Sequence, residues 1–291
     1  MTKTAGRVIV TAIVIIGLSI FFHFKIPDVK PYEKGDMKVI FVPDDDSPEN
    51  RRQLITLSAF TVKEGVDIKE VRIFYKKAMG EEFKKIVMQR VRDGSTYADY
   101  LPGLSKGERW FYYIEAEDTT NNILNIPERV KEGERQINFY VTFEGTANRL
   151  LFISHIVLAI TAVILWIHSV FYAVNYLTTK ERHNIRLAFY SVLYGTISFF
   201  IFAFPVGGYI AHQVFGQAWS GIPFGWDITD NKSMVTFLYY AILIYLMKGE
   251  FYGLEVGKGN VISDNNFSYL VILGIILTIV IYNIPHSYFI Q

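Results

Sequence analysis

The chain contains no cysteine, which excludes disulfides, zinc–thiolate sites, iron–sulfur ligation and covalent attachment of a c-type haem through its own thiols. It also has no excess of either charge: 29 Lys and Arg stand against 28 Asp and Glu, so no basic field points to nucleic acid as a partner. No Gly-rich phosphate loop, Gly-x-Ser-x-Gly elbow or His-Glu-x-x-His helix occurs in it, and no catalytic activity of its own is expected. Internal repeats and low-complexity segments are missing as well. Histidine, present six times, is left as the main strong ligand for a transition metal or haem iron.

Apolar residues are abundant. Of the 291 residues 51% are hydrophobic and 16% aromatic, too apolar a composition for an ordinary soluble enzyme. They cluster in five runs near the length of a membrane span, at about 8–22, 150–176, 187–211, 233–248 and 268–284. The first follows Lys3 and Arg7 and precedes the bulky "FFHFKIPD", so an uncleaved anchor over 1–25 is expected. Lys3 and Arg7 before the first run, and Lys180, Arg182 and Arg186 after the second, assign those ends to the cytoplasm. A bacterial inner-membrane protein follows, its 37–143 segment, 212–232 loop and C-terminus extracytoplasmic. No span carries an acidic residue, which weighs against a proton-driven transporter.

Between the first two runs the period changes from continuous apolar to alternating. Val71, Ile73 and Tyr75 fall on one face of "VRIFYKK", and Ile137, Phe139, Val141 and Phe143 on one face of "INFYVTF". Seven strands are predicted, near 38–42, 53–60, 69–77, 83–90, 96–101, 109–117 and 135–143, which suggests a β-sandwich. Tyr97, Leu101 and Pro102, followed by Tyr112, Tyr113, Ala116 and Asp118, resemble the matching strands of fibronectin type III or immunoglobulin-like modules of bacterial surface proteins. That resemblance implies a module that binds or spaces other proteins.

The loop "AWSGIPFGWDITDNKSMVTF" at 218–237 is unusual for its two tryptophans. Trp and Tyr settle at membrane interfaces for purely physical reasons. The order Phe224, Trp226, Asp227, then Met234, Val235, Thr236 and Phe237, also resembles the tryptophan-rich motif of haem-handling cytochrome c assembly proteins. It departs from that motif at Phe224, where tryptophan is usual, and at "ITDNK". The "Trp-Asp-x-Thr-Asp-Asn-Lys" pattern resembles as well a group of uncharacterised bacterial multi-span membrane proteins with an immunoglobulin-like domain.

On this topology His23, His155, His212 and His286 lie near the outer membrane face, while His168 lies deeper. His155 with His212 or His286 could clamp the iron of a haem b, walled by Trp219 and Trp226 beside Asp227; a quinone is the alternative occupant. An interfacial hydrogen-bonding role is the alternative for each histidine. The acidic "PDDDSPEN" at 43–50 lacks calcium-loop spacing and reads as a solvated turn. Asp230 is expected to cap a helix starting near Lys232. Pro205, Gly207 and Gly208 should kink or unwind the third span.

The expectation is therefore a membrane α-helical protein of five spans plus an all-β immunoglobulin-like sandwich, with an anchor at 1–25, the sandwich at 37–143 and a four-helix transmembrane domain at 149–286. The expected role is that of an integral subunit of a larger respiratory or electron-transfer complex, its sandwich docking an extracytoplasmic partner such as a periplasmic cytochrome. The alternatives are a haem-handling cytochrome c assembly protein and a cofactor-free anchor or sensor.

Overall fold

The computed structural model describes residues 31–78, 81–91, 94–129, 137–253 and 258–283. The expected anchor at 1–25, with His23, lies outside them, as does His286. The chain divides into two compact units, the strands up to Thr146 together with Val214–Gly216, and the helices of Ala147–Gln213 and Gln217 onward.

The β unit is two sheets around one core. One sheet runs β1 (Tyr32–Lys34), β2 (Met37–Ile40), β4 (Gln53–Thr61), β8 (Thr96–Leu101), β7 (Gln89–Arg90). The other runs β3 (Asp46–Pro48), β11 (Phe139–Glu144), β9 (Arg109–Asp118), β5 (Ile68–Lys76), β6 (Lys84–Val87), with β10 (Ile123–Ile126) beside the far half of β9. Alternation does the sorting. Val71, Ile73 and Tyr75 of β5 face Ile55, Leu57 and Tyr97 in a single buried cluster, while Arg72 on the outer face bonds Glu70 on its own strand and Glu115 and Glu117 across on β9. Trp110 is buried, and its indole N–H donates to the Pro102 carbonyl at 2.7 Å, pinning the connection between β8 and β9.

One predicted strand is two. The 83–90 stretch divides at Met88: β6 pairs with β5 in one sheet and β7 with β8 in the other. Met88 is buried between them and its N–H reaches the Val71 carbonyl at 2.8 Å. A period-two pattern is the same for one strand or for two halves that change partners, so the switch had no signature.

Asp118 closes β9 with a local network. Its carboxylate accepts from Thr120 N–H and Oγ1, both at 2.8 Å, and from Asn122 N–H at 2.9 Å and Nδ2 at 2.8 Å. Burial pushes its pKa up, but the bonds from Asn122 and Thr120 outweigh it and hold the carboxyl at about 2. A carboxyl whose pKa is lowered on folding contributes stability above its unfolded value and loses it as pH falls through the folded one. The β unit should therefore lose stability from about pH 4 down to about pH 2. Asp118→Asn should lower stability at neutral pH and flatten that fall, read as the thermal midpoint against pH. Glu117, drawn down by Lys69 and Arg72, titrates in the same direction and keeps the flattening partial.

In the helical unit α1 (Arg149–Thr179) starts on Asn148, whose side chain accepts from Leu150 and Leu151 N–H, and stops on Lys180 in the left-handed conformation. α2 (Arg182–Ile201) continues through a π-helical segment, Phe202–Val206, into α3 (Gly207–Phe215). α4 (Ile228–Leu246), α5 (Lys248–Phe251) and α6 (Asp264–Asn283) complete it. α1 packs on α2 and α6, and α4 on the same two helices. Inside, Trp166 stacks on Tyr240 at 3.9 Å and leans on Phe199; a Cβ on Gly195 would stand 2.7 Å from the Trp166 ring. Outside, Ile160, Ile242, Ile276 and Val280 are exposed, as suits helices whose outer faces meet lipid.

Among the described residues three helices, not five, are long and apolar enough to cross a membrane: Arg149–Thr179, Arg182–Phe215 and Asp264–Asn283. The expected 8–22 span lies outside the described residues. The expected 233–248 span falls short for a physical reason. α4 carries Asp230 and Lys232 near its start, leaving about 14 residues, roughly 21 Å of helix against ~30 Å of hydrocarbon.

Candidate functional site

The loop entering α4 is fastened from below by the helix it precedes. Asp227 is the N-cap, its carboxylate accepting from Thr229 N–H at 2.8 Å and Asp230 N–H at 3.1 Å. Asp230, expected as the cap, instead accepts from Ser220 N–H at 2.6 Å, Ser220 Oγ at 3.0 Å and Gly221 N–H at 3.1 Å. Asn231 Oδ1 takes the Ile222 N–H at 2.8 Å. Gly225 allows the fold back, since a Cβ there would lie 2.4 Å from the Ser220 carbonyl oxygen. On this frame two large rings stand in the open: Phe224 is 84% exposed and Trp226 82%.

Trp219 turns the other way. Its ring stacks on Phe204 at 5.4 Å and its N–H donates to the Ile222 carbonyl at 3.2 Å. With Phe204, Pro205, Gly208 and His212 it lines a mostly apolar crevice of about 550 Å³. The π-helical segment makes this shape possible. Pro205 has no N–H to give, so the helix widens there, and the two glycines that follow admit close neighbours on different sides. A Cβ on Gly207 would meet the His155 ring at 3.4 Å, and one on Gly208 the Ala218 carbonyl oxygen at 3.1 Å. His155 belongs to α1, where its Nδ1–H donates to the Phe202 carbonyl at 3.1 Å and its ring packs edge-on against Phe202 at 4.7 Å.

Of the residues singled out for haem, the structure thus brings His212 and Trp219 into one crevice. His155 sits against the π-helical segment, Trp226 points into the open and Asp227 is engaged as a helix cap. Among the described residues no group of three or more His, Asp or Glu side chains is placed to hold a metal ion.

A second polar centre has no counterpart in the sequence reading. Arg182 at the start of α2 bonds both Glu250 of α5 and Asp264 of α6, and Arg186 Nε stands 3.6 Å from Glu250. The Glu250 side chain is only 4% exposed. Its signal was available in the topology, because all four residues fall at helix ends assigned to one side of the membrane.

No family model matches the chain and no curated protein matches it. Among solved structures it is similar to the superoxide reductase (neelaredoxin) of Ignicoccus hospitalis, at 9% identity and a TM-score of 0.26, covering 42% of this chain and 88% of that one. It is similar also to astrotactin-2, a vertebrate-specific, perforin-like membrane protein involved in neuronal development, at 10% identity and a TM-score of 0.23, covering 81% of this chain and 36% of that one. At such scores neither likeness bears on fold or chemistry here.

Proposed function

We propose that this chain is a non-catalytic subunit of a larger membrane complex, in which the helical unit is embedded in the bilayer and the β unit docks an extracytoplasmic partner. The observation that carries the reading is the Ser220–Asp227 loop. A segment held by at least six hydrogen bonds from the first turn of α4 and its cap presents Phe224 and Trp226 with most of their surface free. Rings held rigidly lose little entropy on binding, which suits them as anchors for a neighbouring subunit. The strand order β2–β4–β8 against β6–β5–β9–β11 supports a fibronectin type III or immunoglobulin-like module, of the kind that binds proteins. The charge distribution supports a bacterial inner membrane with the β unit outside. A respiratory complex, with a cytochrome as the docked partner, is the setting the histidines and tryptophans favour.

A second reading, haem b in an electron-transfer or haem-handling role, has one observation in its favour. The Nδ1–H of His155 is fixed by the Phe202 carbonyl, the arrangement that leaves Nε2 aimed and basic in ligating histidines. His212 or His286 would supply a second ligand to the iron, and Trp219 an apolar contact.

One purification separates these. Extracted in mild detergent from its native membrane, the protein should carry copurifying subunits, and Phe224→Ser with Trp226→Ser should shed them while inserting at normal levels. A Soret band lost in His155→Ala favours the haem reading. A single species without subunits in the mildest detergent refutes the complex.

A further inference from the structure

The turn that leads into β4 borders a second cavity, of about 500 Å³, within the β unit. Asp44, Ser47, Arg51, Arg52 and Gln53 are among its lining residues. Ser47 is 4% exposed, and its Oγ has no hydrogen-bond partner among the described residues. A buried hydroxyl in that state is unfavourable unless something in the cavity bonds to it. Both arginines are exposed, and among the described residues neither guanidinium has an ion-pair or hydrogen-bond partner.

The base from which these side chains spring is fixed. Asn50 takes the left-handed conformation at φ 59°, and its N–H donates to the Leu104 carbonyl at 2.7 Å. The neighbouring Glu49 N–H reaches the Glu144 carbonyl at 2.8 Å. Gly103 lies so close beneath that a Cβ there would stand 2.8 Å from the Arg51 carbonyl oxygen. Gln53 Nε2 donates to Asp44 Oδ2 at 3.0 Å and so holds that carboxylate at the same cavity.

Two guanidiniums against one carboxylate leave the lining with a single positive charge. A monoanion balances it, whereas a phosphate dianion leaves the site with a net negative charge. The planar guanidinium also matches the two oxygens of a carboxylate, and Phe41 and Ile55 offer an apolar wall to the carbon that bears them. We propose that this cavity binds a monoanionic carboxylate, its oxygens taken by Arg51 and Arg52 with Ser47 Oγ donating a further bond. The proposal is independent of the aromatic loop and of any haem.

The test uses the full chain in nanodiscs, titrated at one ionic strength with acetate, inorganic phosphate or chloride while the thermal midpoint is followed. Acetate should raise the midpoint saturably and chloride should not. Arg51→Gln with Arg52→Gln should raise the half-saturating acetate concentration about tenfold or more, and Ser47→Ala by a smaller factor. An unchanged circular dichroism spectrum in both variants rules out loss of the fold as the cause. An N-acetylated Gly-Gly-Ala peptide with a free carboxyl terminus identifies the source. Binding well below the acetate concentration, lost on amidation, assigns the carboxylate to a protein chain, and equal binding assigns it to a small molecule. Acetate acting no differently from chloride, or a double variant that titrates like wild type, overturns the site. Phosphate binding tighter than acetate overturns the monoanion assignment.

Discussion

Arg182→Met is expected to destabilise the helical unit by about 3 kcal/mol, toward the lower end of the cost of removing one partner from a buried ion pair. Arg182 bridges two acids on two other elements, and its loss leaves Glu250, almost fully buried, with only the 3.6 Å contact to the more exposed Arg186. A stranded buried carboxylate is the costly product, more than the lost attraction itself. The double variant Arg182→Met with Glu250→Leu should therefore recover most of the loss, since Asp264 is partly exposed and can be hydrated. Equilibrium unfolding of the detergent-solubilised protein measures both. A double variant as unstable as the single one would mean that the arginine acts through packing of its stem.

The second large effect falls in the β unit and has two signs. Tyr112 is 0% exposed, packed against Phe41 and Phe139 with ring centroids 6.4 and 5.6 Å away. Tyr112→Ala should cost about 3–5 kcal/mol, the range for emptying an aromatic site in a core. Tyr112→Phe should do the reverse. The Tyr112 hydroxyl is buried without a hydrogen-bond partner among the described residues, and removing it relieves a desolvated polar group, a gain of up to about 1 kcal/mol. Denaturant midpoints of the two variants on either side of wild type are the expected result. If Tyr112→Phe fell below wild type, the hydroxyl must be bonded in solution.

These two sites mark the limits of what the amino-acid order discloses. Tyr112 was legible, because alternation along β9 puts it on the buried face with Trp110, Ile114 and Ala116. Most strands were legible for the same reason. The short β1, β3 and β10, of three or four residues each, carry too few alternations to register. The 233–248 span falls away because apolar length alone does not register the charged first turn of α4, while the 8–22 span lies outside the described residues. The cap was misplaced from Asp227 to Asp230 because both acids lie within one turn of the helix start, and only the path of the loop backbone decides which carboxylate meets which amide. The Arg182 network joins residues 68 and 82 positions apart, a separation that no local pattern spans. Ser47, within 43–50, looks like part of a solvated turn until strand β3, pairing with β11, buries it.

The π-helical segment at Phe202–Val206 has one more consequence. An extra residue in a turn advances everything beyond it by about 100° around the axis. A helical wheel drawn through 182–215 at constant pitch therefore misplaces Gly208 and His212 around α3 by about that angle. The crevice shared with Trp219 is a matter of angular phase as much as of residue type. Two chains with identical apolar patterns in this region, one with the widened turn and one without, would turn different faces toward the loop.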